Sequence, residues 1–250
     1  MKKIIIANWK MNPPSPKEAQ AIFAKVKGRA ARLSGVETVI APPFVFLPIL
    51  KSGGKIKLAA QDVAKDDGGP WTGEVSARMV KGLGASYAII GHSERRELGE
   101  GDEVVREKLY QSLSRGIKSV LCVGEKEKSQ EVFPHIVRDE IKKALRGIPK
   151  YFASKTIIAY EPVWAISSHS KGKADTPQNF FEMSIFIRRT VLDVWGKLAA
   201  LRLPIIYGGS VNAKNARGFL EVDGGAGVLV GKASLDAREF NKILEIANTI

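Results

Sequence analysis

Thr156-Ile157-Ile158-Ala159-Tyr160-Glu161 is a short run of strand-prone residues that ends on a carboxylate and shows no alternation of polar and apolar positions. A strand with one face in water alternates, whereas an unbroken run is what a strand buried on both faces looks like, as in a parallel sheet. The same signature recurs at Ile4–Ala7, Val36–Ala41, Ile56–Ala60, Tyr87–Ile90, Ile117–Val123, Pro204–Tyr207 and Gly227–Val230. Between these runs the period changes. Ser15-Pro16-Lys17-Glu18 sets a capping serine before a proline, with a glutamate three residues after the cap, and Ala19, Ile22, Phe23, Val26 and Ala30 follow on one helical face. Thr176-Pro177 opens another helix carrying Phe180, Phe181 and Ile185, and Gly116 stands where a helix from about Glu103 ends. Eight strand–helix alternations predict an α/β fold: a single eight-fold (β/α) barrel, with 1–250 as one domain. A doubly wound open sheet also alternates, but it usually has fewer strands.

Composition sets further limits. Of 250 residues, 44% are hydrophobic and 26% charged, an ordinary globular balance that argues against a disordered, collagenous or coiled-coil chain. The single cysteine, Cys122, excludes an internal disulfide framework and fits a reducing compartment; inside its apolar run it reads as a small buried hydrophobe. The apolar start stops at Asn8 and Lys10, too soon for an export segment, and no run approaches the ~18 residues of a membrane span. A soluble cytoplasmic protein is expected. Thirty-nine basic against twenty-six acidic residues give +13, which suits an anionic partner: nucleic acid, a membrane surface or a phosphorylated metabolite. The cations are scattered and form no tract, which weakens the nucleic-acid reading.

The polar residues follow the apolar runs. Asn8 and Lys10 come after the first, Gly91, His92, Ser93 and Glu94 after Tyr87–Ile90, and Glu161 after Thr156–Tyr160. Gly208-Gly209-Ser210 and Gly231-Lys232 come after the last two. In a parallel barrel these strand ends share one rim, where chemistry gathers, so an amine, an imidazole and a carboxylate would face one cavity. Each has a plainer reading: a hydrogen-bonded structural histidine, a paired glutamate, a solvated lysine. Their joint placement is harder to dismiss. The two late glycine turns offer backbone N–H groups to an anion, as phosphate sites in barrels do. Gly231-Lys232 is not a P-loop, because Ala226 and Ala233 stand where glycine and Ser/Thr are needed. Gly208-Gly209-Ser210-Val211-Asn212 lacks the closing glycine of a hydrolase elbow. His92, His135 and His169 are widely separated, and one cysteine makes no thiolate cluster, so no metal site is expected.

Ala7-Asn8-Trp9-Lys10-Met11-Asn12, Gly91-His92-Ser93-Glu94-Arg95-Arg96, Ala159-Tyr160-Glu161-Pro162-Val163-Trp164-Ala165-Ile166, Tyr207-Gly208-Gly209-Ser210-Val211 and Leu229-Val230-Gly231-Lys232-Ala233-Ser234-Leu235 occur in one order from end to end. With these segments the chain closely resembles the triosephosphate isomerase family. The resemblance implies a (β/α)8 TIM barrel that interconverts dihydroxyacetone phosphate and D-glyceraldehyde 3-phosphate in glycolysis and gluconeogenesis, with no cofactor and no metal. It implies Glu161 as the base, His92 as the neutral electrophile, Lys10 as the cation beside the enediolate and Asn8 as a positioning group. It implies a phosphate grip at Asn8, Lys10, Ser167, Ser210, Gly231 and Lys232, the last a departure from the family's usual second glycine. The lid segment Ser167–Thr176 departs too, being longer than the family's and lacking its glycine-threonine-glycine pattern. Gln61-Asp62 through Gly69-Pro70-Trp71-Thr72-Gly73-Glu74 resembles the family's dimer loop, implying a homodimer with Thr72 at the interface and Glu74 as a partner for Arg95. Other readings are another sugar-phosphate isomerase, a non-catalytic phosphate-metabolite-binding barrel, and a basic nucleic-acid binder.

Overall fold

A computed structural model of the chain describes residues 2–128, 134–166 and 175–250. In chain order its regular elements are β1 (Lys3–Asn8), α1 (Pro16–Ala30), β2 (Val36–Ala41), β3 (Ile56–Ala60), α2 (Ala77–Gly82) and β4 (Ala85–Ile90). Then come α3 (Ser93–Glu97), α4 (Asp102–Ser114), β5 (Lys118–Val123), α5 (His135–Leu145), β6 (Thr156–Tyr160) and α6 (Pro177–Trp195). The last are α7 (Lys197–Arg202), β7 (Ile205–Tyr207), α8 (Ala216–Leu220), β8 (Gly225–Val230) and α9 (Ala237–Asn248). Each strand pairs in parallel with the next, and β8 pairs back onto β1, so the sheet closes into an eight-stranded barrel. Every apolar run became a strand. The edges moved: β4 and β8 each begin two residues before the apolar signal does, because Ala85 and Gly225 contribute little hydrophobic pattern.

Two faces explain the missing alternation. One apolar cluster consists of strand residues alone, among them Ile4, Ile6, Val39, Tyr87, Ile89, Cys122, Ile157, Ala159 and Leu229, and fills the barrel interior. Their chain neighbours, such as Ile5, Ala7, Ile40, Leu58, Ile90, Leu121 and Ile158, join the larger cluster under the helices. Side chains on a strand repeat every second residue. Asn8, two beyond Ile6, and Glu161, two beyond Ala159, therefore carry the interior register out to the rim.

The helices seal the outer face. Ser15 caps α1, its Oγ accepting the Glu18 N–H at 3.3 Å, and Ala19, Phe23, Val26 and Ala30 are buried. Burying a side chain such as Phe23 stabilises by roughly 1.5–3 kcal/mol. Thr176 caps α6 in the same way through Asn179 N–H at 3.1 Å. There the inward face runs through Phe180, Met183, Ile187 and Val191, which leaves Ile185 on the outside at 51% exposure. Gly116 follows α4 at φ +75°, a left-handed exit suited to glycine.

Candidate active site

Asn8 ends β1, and its Oδ1 accepts the Lys10 N–H at 3.0 Å. On the other side, Gln61 Nε2 donates to the Lys10 carbonyl at 2.8 Å and to the Ala41 carbonyl at 2.9 Å. Clamped between them, Lys10 adopts φ +53°, the left-handed conformation that side chains with a Cβ rarely take. Strain of this kind costs on the order of 1–3 kcal/mol and persists where surrounding bonds over-determine it. Here it aims a buried-rim lysine across the barrel mouth.

His92 follows β4 after Gly91 and caps α3, its Nδ1 accepting the Glu94 N–H at 3.2 Å. A nitrogen that accepts carries no proton, so this contact selects the neutral imidazole with its hydrogen on Nε2. That Nε2 lies 3.6 Å from Glu161 Oε1. Glu161 is 2% exposed; its Oε2 accepts the Ser93 N–H at 3.3 Å, while Oε1 has no hydrogen-bond partner among the described residues. Its backbone is held tightly. The Glu161 N–H donates to Val123 O at 2.8 Å, a Cβ on Gly124 would stand 1.8 Å from Glu161 O, and one on Gly208 would stand 2.7 Å from its Cγ. Only glycine fits at either place.

Glu94, given no role from the sequence, turns out to connect the group. Its Oε1 lies 2.5 Å from Lys10 Nζ, and its Oε2 lies 3.9 Å from His92 Nδ1. The clue was its place in the turn after β4. Gln61 was missed as well. Lys10, His92 and Glu161 are thus linked through Glu94 in one run of close contacts at the barrel mouth. Cys122 lies in the barrel interior beneath them, where burial and then the neighbouring Glu161 carboxylate push its thiol up, so it stays neutral.

The two glycine turns sit on the same rim. Ser210 Oγ donates to Ala165 O at 2.8 Å, and Ser210 O accepts from Asn215 Nδ2 at 2.9 Å. Gly231 O is held by Ser234 N–H at 2.8 Å and Ser234 Oγ at 2.7 Å. Among the described residues the backbone N–H groups of Ser210, Gly231 and Lys232 have no acceptor, the condition an anion site requires. A Cβ on Gly231 would stand 3.7 Å from Lys10 Cε, so the lysine stem passes beside the last turn. The Lys232 side chain is exposed. Ser167, His169 and most of the expected lid lie outside the described residues.

Thr72 is exposed. Among the described residues the direct partners of Arg95 are Glu100 and, at 3.1 Å, Asp62, because those carboxylates share the buried Lys108 beside it; the expected partner Glu74 acts on Arg95 only at longer range, through its charge. The segments between β1 and α4 expose several large apolar side chains, Met11 at 93%, Leu98 at 77% and Val45 at 74%, with Trp71 and Met79. Among the described residues no helix is long and apolar enough to cross a membrane, and no group of three or more His, Cys, Asp or Glu residues could hold a metal ion.

A family model described as Triosephosphate isomerase matches residues 3–247. A protein named Triosephosphate isomerase from Acetivibrio thermocellus is 41% identical over 249 residues, covering 97% of both chains. One of the same name from Thermus thermophilus is 41% identical over 256 residues, covering 99% of this chain and all of its own. A third, from Aquifex aeolicus, is 38% identical over 250 residues, with 98% and 99% covered.

Proposed function

We propose a division of labour among these residues from one premise: the chain belongs to the triosephosphate isomerase family and interconverts dihydroxyacetone phosphate and D-glyceraldehyde 3-phosphate. Glu161 is the base. Its Oε1, without a hydrogen-bond partner among the described residues, takes a proton from the carbon beside the substrate carbonyl and returns it to the neighbouring carbon. His92 donates from Nε2 to the carbonyl oxygen and then moves protons between the two oxygens. Positioned proton transfer of this type contributes ~10²–10⁴ in rate. The Lys10 ammonium stabilises the enediolate, and Asn8 helps hold the oxygens; a charge aimed beforehand at the transition state acts strongly where water is excluded. The N–H groups of Ser210, Gly231 and Lys232 take the phosphate, with Ser167 as a further donor.

The observation that carries this reading is the convergence of a neutral imidazole, a buried carboxylate and an ammonium on the rim that also holds the free N–H donors. The reading extends to one catalytic domain over 1–250, a cytoplasmic setting in keeping with a lone buried cysteine, and a homodimer built on the exposed apolar side chains around the Thr72 loop. A coupled assay on purified protein tests the roles. Turnover of triose phosphates with exchange of substrate protons into deuterated water is expected; binding of a phosphate analogue without exchange would refute them.

A further inference from the structure

Behind Glu161 lies a cavity of about 40 Å³ lined by Gly91, Cys122, Gly124, Arg96 and Glu140, among others. Arg96 and Glu140 have no part in the chemistry above, yet both are largely buried, with side-chain exposures of 15% and 9%. Arg96 Nε donates to the carbonyl of Gly91, the residue before His92, at 3.0 Å. Its Nη1 lies 3.5 Å from Glu140 Oε1 and bonds Asp102 at 2.8 Å. Glu140 Oε2 accepts the Gly124 N–H at 2.9 Å. Gly124 in turn lies hard against the Glu161 carbonyl. An unbroken set of contacts therefore runs from His92 through Gly91, Arg96, Glu140 and Gly124 to Glu161.

We propose that Glu140 is a positioning residue for the isomerase reaction, an ion-pair bracket with Arg96 that sets the spacing between the His92 imidazole and the Glu161 carboxylate from behind. The inference rests on Glu161 being the base. A displacement of about an ångström in a reacting pair can cost up to ~10² in rate. Among the described residues neither Arg96 nor Glu140 bonds the Ser210, Gly231 or Lys232 turns, so loss of the bracket strikes kcat and spares phosphate binding.

Burial pushes the Glu140 carboxyl up to about 7, against the opposing pull of Arg96 and the Gly124 N–H. Asp102 and Glu161 face it and raise it further, Lys143 faces it from its own helix, and the Cys122 thiol lies nearby. Glu97 and Lys126 line the same cavity. Protonation removes the charge that holds Arg96, so kcat is expected to fall as pH drops through about 7. Stability moves the other way: with the folded value above the ordinary 4.5, this carboxyl's contribution is full below 4.5 and is lost as pH rises to about 7. A merely structural carboxyl would not lower activity over the range in which it raises stability.

Glu140→Gln keeps the shape and the acceptor for Gly124 but not the charge. The expected result is a kcat loss of about tenfold, KM within about twofold, a Tm at pH 8 no lower than that of wild type, and disappearance of the kcat decline near pH 7. Arg96→Lys is expected to give the same kcat-only loss, non-additive with Glu140→Gln. In the unmodified protein, a ¹³C glutamate carboxyl resonance should titrate with the kcat midpoint. Wild-type kcat with an unchanged acid limb in Glu140→Gln overturns the proposal, as does a matched rise in KM with a fall in Tm. If Glu161→Asp kept full turnover, the base assignment itself would fall; if it is slow while Glu140→Gln behaves as wild type, only the bracket falls.

Discussion

The two ends of the barrel hold polar clusters of similar composition and opposite condition. At the N-terminal end Tyr87 donates its hydroxyl to Glu37 at 2.5 Å, and Lys118 Nζ donates to Tyr87 at 3.0 Å and to Glu37 at 3.4 Å. Burial and then the Glu37 carboxylate raise the Tyr87 phenol far above its ordinary range, so it remains a neutral donor. At the C-terminal end Lys10 and Glu94 also pair, but Glu161 Oε1 and Ser93 Oγ are buried without hydrogen-bond partners among the described residues, and Lys10 sits in left-handed backbone. Unsatisfied buried polar atoms are costly, about 1–3 kcal/mol each. One end has spent its polar groups on one another and closes the barrel. The other keeps them available and carries the strain that availability requires.

Substitutions should separate the two ends cleanly. Lys10→Met removes the ammonium paired with Glu94 at the mouth; kcat/KM is expected to fall at least a thousandfold, by initial rates across a substrate range, because both the enediolate and the phosphate lose a cation. Glu161→Asp retracts the carboxylate by one methylene and should lower kcat by a hundredfold or more, with Tm from circular dichroism little changed. Full activity in either variant would erase the contrast. Tyr87→Phe should do the reverse, costing about 1 kcal/mol of stability in urea titrations while kcat stays at its wild-type value. The smallest effect belongs to Asp62, which burial raises to about 6 against the opposing pull of Lys108. Its folded value lies above the ordinary 3.8, so its contribution to stability is full below that pH and is lost as pH rises to about 6. Relative to wild type, Asp62→Asn should therefore gain stability between pH 4.5 and 7, seen as a growing difference in Tm.

The residues readable in the sequence are those whose role follows from position along a strand. The eight runs showed because both faces of each strand are buried, and Asn8, His92 and Glu161 showed because a polar side chain at the end of such a run has few other uses. Lys10 stood out in the same way. Glu94 did not, since its value depends on a lysine 84 positions away. Gln61 and Glu140 act on backbone groups, and nothing in local composition says which carbonyl or N–H an amide or carboxylate will reach. Arg95 was paired with Glu74, yet Lys108 draws Glu100 and Asp62 into a buried cluster that holds it. Helix α6 shows the same limit on a smaller scale: Phe180 and Ile185 were both apparent, but only Phe180 faces the core.

Strand β8 meets β1 so closely that a Cβ on Gly227 would stand 1.8 Å from the Ile4 carbonyl. That seam joins two strands more than 200 positions apart in the sequence. Until β8 has been synthesised, β1 has a neighbour on one side only, and its other edge offers unpaired amides to any passing strand. A nascent chain stalled before Gly225 would carry Asn8 and Lys10 on an open ribbon, and a chaperone would have most to protect at that stage.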